Sequence, residues 1–117
     1  MDEKARRKEL QAQYKQTHPE AGVYRIVNTQ TGRYLLGSSP NLPSIRNRLE
    51  FGRSNNMQGV LDHRLRDDAL QFGISAFSLE VLDILETTPE MTPAEIRSEL
   101  STLESLWREK LDPALRY

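Results

Sequence analysis

Cysteine is absent from the 117-residue chain. That excludes a disulfide frame, a thiolate metal site and a cysteine nucleophile, and it points to a reducing cytoplasm. No apolar run is long enough to span a bilayer, so no membrane partner is expected. The first ten residues are charged throughout, unlike a signal peptide. The net charge is only −1 at pH 7, which argues against a protein that binds polyanions over its whole surface. The two histidines, His18 before Pro19 and His63 on a helix, read as solvated residues. At 13.5 kDa the chain predicts one domain with a modest core.

The charge that is present is unevenly placed. Between Asn41 and Arg66 there are five arginines (46, 48, 53, 64, 66) against two acids, Glu50 and Asp62. Between Glu80 and Glu104 there are seven acids and one arginine, Arg97. A basic middle and an acidic C-terminal part can leave one face suited to phosphates.

Residues 1–19 read as a charged helical extension stopped by Pro19, with 20–117 as the main domain. Leu10 and Tyr14 are four apart and can pair on that helix. Its basic cluster, Lys4, Arg6, Arg7 and Lys8, reads as a solvated face or a nucleic-acid contact. Val23 to Val27 alternates as a strand, and Asn28 to Gly32 is turn chemistry. Arg33 to Ser38 then makes the second strand of a hairpin. Asn41 or Ser39 can cap a following helix with Pro43 in its first turn. Leu42, Ile45 and Leu49 form its apolar stripe, with Arg46 and Arg53 along one border and Arg48 along the other. Gly52 to Asn56 reads as a loop, and Val60 to Phe72 as a second helix closed by Gly73. Ala76 to Leu85 is a third strand. Thr92-Pro93-Ala94-Glu95 is a capping box that starts a last helix running to about Lys110. The predicted class is α+β: a small, three-stranded, mainly antiparallel sheet flanked by helices.

One carboxylate is awkwardly placed. On the last helix Ile96, Leu100, Leu103, Trp107 and Leu111 form an apolar arc, and Glu104 falls inside its edge. A carboxylate at a core border needs an arginine partner, partial exposure or a metal ion.

Several pieces resemble the GIY-YIG nuclease superfamily in order and spacing. Gly22-Val23-Tyr24 and Gly37-Ser38-Ser39 are similar to its hairpin motifs. Leu70-Gln71-Phe72-Gly73, followed by Ala76-Phe77-Ser78-Leu79-Glu80-Val81-Leu82, resembles its helix-glycine-strand segment. Leu103-Glu104-Ser105-Leu106-Trp107 resembles its metal-binding helix. The resemblance covers about residues 21–111. It implies a divalent-metal-dependent DNA endonuclease, with Mg²⁺ or Mn²⁺ as cofactor. The alternative is a binding or interaction module of the same fold whose catalysis is impaired. The resemblance carries the catalytic tyrosine onto Tyr24 and the metal carboxylate onto Glu104. It puts Leu35 where the second tyrosine stands, Ile45 where the arginine stands and Leu49 where the histidine stands. Arg46 and Arg48 flank the arginine position and are the candidates for its role. Arg46, Arg48, Arg53 and Arg64 are the candidate DNA contacts. A chain this small has no separate recognition domain, so sequence specificity would need a partner protein or dimerisation.

Overall fold

A computed structural model describes residues 3–117, of which 11–17 are described as backbone only. Helix α1 (Glu3–Thr17) precedes strand β1 (Ala21–Asn28) and strand β2 (Tyr34–Ser39). Helix α2 (Leu42–Asn55) and helix α3 (His63–Phe72) follow, then strand β3 (Phe77–Leu85) and helix α4 (Pro93–Lys110). The expected pairing of Leu10 with Tyr14 lies outside the described residues. No helix among the described residues is long and apolar enough to cross a membrane.

The sheet order is β2-β1-β3, with both pairings antiparallel. Its two faces divide the core, because alternate side chains of a strand point to opposite sides. Ile26 and Leu35 share one face with Phe77, and it is covered by Leu49 of α2, Leu65 and Ala69 of α3, and Leu61 of the turn between the two helices. Val23, Tyr34 and Leu36 lie on the other face, where Leu103 and Trp107 of α4 and Leu111 just after it pack. Phe77, Leu65 and Val23 are fully buried, each contributing about 1.5–3 kcal/mol of transfer free energy.

Local signals set the boundaries. The Asn41 side chain accepts from the Ser44 N–H at 3.0 Å and starts α2. The Thr92 hydroxyl accepts from the Glu95 N–H at 3.1 Å and starts α4. Gly73, at φ 86°, closes α3.

Two expectations are corrected. The helix expected from Val60 starts only at His63, since Gln58–Val60 is a separate 3₁₀ turn and Asp62 caps the helix. Gly52 to Asn56 is not a loop, since α2 continues through Gly52 to Asn55. The glycine is a packing gap within the helix. A Cβ there would lie 2.5 Å from Val60 Cγ2 and 2.9 Å from Ile74 Cδ1. Helix propensity loses to close approach at this point.

Two irregularities shape the sheet. Val23 pairs with Asp83 but Tyr24 pairs with Val81, so Leu82 is an extra residue in β3. This bulge turns Leu82 and Asp83 toward α4, where Trp107 Nε1 donates to Asp83 Oδ2 at 3.1 Å. The outer edge of β2 is covered at one end by the C-terminal residues. The Tyr117 N–H donates to the Tyr34 carbonyl at 2.9 Å. The Tyr117 hydroxyl donates to Asp68 Oδ2 at 2.6 Å and accepts from Asn28 Nδ2 at 3.1 Å. Asn28 is fully buried, and these bonds satisfy its amide.

Candidate active site

Tyr24 sits on the central strand, directly opposite Gly37 of the edge strand. A methyl group on Gly37 would lie 2.7 Å from the Tyr24 hydroxyl oxygen and 2.8 Å from Cζ. The ring therefore lies across Gly37, with its hydroxyl carried out toward the edge of β2. No other residue type leaves that space. Gly37→Ala is expected to displace the ring at a cost of about 1–3 kcal/mol. NMR titration of the Tyr24 ring would then show a lower phenol pKa, and an unmoved titration would mean that the ring does not use this gap.

The phenol pKa is raised above its ordinary 10.0, first by burial and next by the charge of Glu104. Arg48 opposes that shift, Asp62 adds to it and Arg64 opposes it. Two carboxylates and two guanidiniums thus share one electrostatic neighbourhood with the Tyr24 hydroxyl. This happens although α4 packs on the face opposite Tyr24. The ring lies over Gly37, and at the edge strand Arg108 of α4 and Arg64 of α3 line one groove with Leu35 and Leu36. The phenol is neutral at physiological pH. It can donate or accept a hydrogen bond there but does not supply a phenolate.

A groove beside the ring is lined by Leu35, Ile45, Arg48, Leu49 and Asp62. It contains Arg48 but not Arg46, which projects from α2 into solvent. Arg53 is held by Glu50 at 3.4 Å and is not among the lining residues either. Leu35 and Leu49 are core residues, 6% and 3% exposed. They give the groove an apolar floor where the family resemblance expects polar groups.

Glu104 meets both non-metal expectations for an edge carboxylate. It is partly exposed, and it accepts from Arg108 Nη2 at 2.9 Å one helical turn on. Asp62 was not singled out by the sequence reading, although an Asp before a helix is a legible cap. It accepts from the Arg64 N–H at 2.9 Å and starts α3. The Arg64 guanidinium also grips it with two bonds, at 3.0 and 3.1 Å. Those bonds hold the Asp62 carboxyl at about 2 against an ordinary 3.8. The folded pKa is the lower one, so the Asp62 contribution to stability is present above pH 3.8 and is lost as pH falls toward 2. A carboxyl titration by NMR is expected to place Asp62 near that value. A midpoint close to 3.8 would mean that the Arg64 grip is not formed in solution.

Among the described residues, no cluster of three or more His, Asp or Glu side chains forms a ready-made cation cage. The available donors are of the carboxylate kind that a hard cation such as Mg²⁺ takes. Such an ion keeps several waters and needs one or two carboxylates, with substrate phosphate completing its shell. Glu104 supplies one partly exposed carboxylate with an oxygen not engaged by Arg108.

No protein-family model matches the chain, and no curated protein matches it in sequence. Among solved structures, it is similar to the catalytic domain of the intron endonuclease I-TevI, in a mutant form. The two share 15% sequence identity and superpose with a TM-score of 0.57. The match covers 79% of this chain and 84% of the other. The element order and the antiparallel sheet agree with the resemblance carried by the hairpin and helix motifs. In fold, this chain is similar to that catalytic domain, as the resemblance of its motifs to GIY-YIG nucleases implies.

Proposed function

We propose that this chain is a divalent-metal-dependent nuclease that hydrolyses phosphodiester bonds of DNA. The observation that carries the reading is the groove that Tyr24, Arg48 and Asp62 line together, with Glu104 and Arg64 near enough for their charges to act on the Tyr24 phenol. The similarity to an endonuclease catalytic domain supports it. In this reading residues 20–117 are the working domain and 1–19 an appended helix.

Tyr24 orients the attacking water. Its neutral phenol can accept a hydrogen bond from that water or donate one to a phosphate oxygen. Arg48 holds non-bridging phosphate oxygens with its fork of N–H groups. Glu104 is the residue that would hold Mg²⁺ or Mn²⁺, whose charge neutralises the negative charge that builds on the phosphate. Asp62 keeps Arg64 in place at the groove's rim. Arg46 and Arg53 are at most outlying contacts to the DNA backbone.

The test is nicking of supercoiled plasmid with Mg²⁺ and separately with Mn²⁺, against a chelator control. Nicked circles that depend on the ion are the expected result. A second reading has its own observation. Leu35, Ile45 and Leu49 give the groove apolar walls where the family resemblance expects a tyrosine, an arginine and a histidine. In that reading the domain binds DNA without cutting it. Salt-sensitive DNA affinity with no nicking by either ion would establish the second reading and overturn the first.

A further inference from the structure

A second groove opens along β2. Leu35 lines it as well as the first groove, so the two adjoin. The charged side chains lining it are Arg64, Arg108 and Arg116, and no Asp or Glu side chain is among its lining residues. The three arginines come from α3, α4 and the C-terminal segment. The fold brings them together, since no helix or strand carries two of them. Arg64 and Arg108 have side chains 51% and 46% exposed. Each is held on one side by a carboxylate of the site just described, Asp62 for Arg64 and Glu104 for Arg108. Arg116 is exposed and makes no ion pair with a described carboxylate.

Arg64 and Arg108 each have one carboxylate partner and Arg116 has no described one, so the three guanidiniums keep N–H groups in the groove that an anion can join. Their forked N–H groups match phosphate oxygens better than any other common anion except carboxylate. We propose that the Arg64, Arg108 and Arg116 groove is a second phosphate subsite. It takes the backbone of the same DNA strand beyond the phosphate held beside Tyr24 and Arg48. This rests on the nuclease reading and adds the path of the strand: along the α2–α3 groove, past Tyr24, and around the edge of β2 under α4.

The subsite is linked to the site. A phosphate on Arg108 competes with Glu104 for the same guanidinium. A phosphate on Arg64 competes with Asp62. Backbone docking therefore loosens Glu104, the carboxylate proposed to receive the cation.

The test needs no catalysis. Binding of a short fluorescein-labelled DNA duplex is followed by anisotropy in chelator over a salt series. The proteins are the unaltered chain, Arg116→Gln, Arg108→Gln, Arg48→Gln and Arg97→Gln as a remote control. All four positions are exposed, and thermal unfolding checks that each variant is folded. Arg116→Gln and Arg108→Gln are expected to bind about tenfold more weakly at low salt. The slope of log affinity against log salt should become shallower by about one for each arginine removed. Arg97→Gln should leave both unchanged. An unchanged slope in Arg116→Gln and Arg108→Gln beside a shallower one in Arg48→Gln overturns the second subsite and leaves the nuclease reading standing. A slope reduced as much by Arg97→Gln overturns it too, since binding is then diffuse. No affinity of the unaltered chain at low salt overturns the nuclease reading, and the subsite with it.

Discussion

Glu104→Gln is expected to lower ion-dependent nicking of plasmid about a thousandfold, because a cation at a phosphoryl centre contributes several kcal/mol. Gln keeps the length of the side chain and one oxygen, so packing at the edge of α4 is preserved. It removes the negative charge that would attract the cation. Duplex affinity in chelator is expected to hold or rise, because Arg108 loses its carboxylate partner and is left for phosphate. That split between cutting and binding distinguishes a metal carboxylate from a structural ion pair. If Glu104 served only to neutralise Arg108, stability would fall slightly and nicking would persist. Exposed pairs one helical turn apart contribute only about 0.3–0.5 kcal/mol. Nicking at the unaltered rate in Glu104→Gln would remove Glu104 from the chemistry.

The second large effect is on stability. Gly22→Ala is expected to destabilise the domain by about 3 kcal/mol, lowering its thermal midpoint by about 10 °C. A Cβ on Gly22 collides with the carbonyl oxygen of Asp83 and meets Leu42 Cδ1 at 3.1 Å. The first neighbour is backbone and cannot rotate away. It sits beside the bulge in β3, and the Asp83 side chain is tied to Trp107. Gly32 is the contrast. It has a positive φ of 80°, but nothing lies within 4 Å of an added Cβ. Gly32→Ala should therefore cost only about 1 kcal/mol, from the backbone conformation alone. Similar losses in the two variants would mean that the β1–β3 pair is looser than its register implies. Urea or thermal unfolding measures both.

The contrast between Gly22 and Gly32 also shows what was legible in the chain and what was not. Turn and cap chemistry acts over three or four residues. Gly32 as a turn residue, Asn41 as a cap and the Thr92 box were therefore readable from sequence. Gly52 was misread because its reason lies in Val60 and Ile74, which reach it only after α2 folds back. The site divides the same way. Tyr24 and Glu104 could be singled out, one by its motif and one by its place at the edge of an apolar arc. The choice between Arg46 and Arg48 depends on the rotation of α2 over the sheet. Sequence periodicity fixes the stripe but not which border meets Tyr24. Asp62 and Arg64 reach the site through the short turn between α2 and α3, whose path no local signal predicts. Tyr117 gave no sign that its hydroxyl would bond to Asp68 beside a buried Asn28.

The sheet order has a consequence in time. β1 is central, and its partner β2 is the next strand along the chain, so the hairpin that lays Tyr24 over Gly37 closes a short loop. Such closure takes about 1–10 μs. The other partner, β3, arrives only after α2 and α3, and α4 later still. High contact order makes these docking steps the slow ones. During synthesis the tyrosine and the Arg48 wall exist before the carboxylate of Glu104 has left the ribosome. Of the residues proposed for the site, the one that would bring in the metal is therefore the last to be placed.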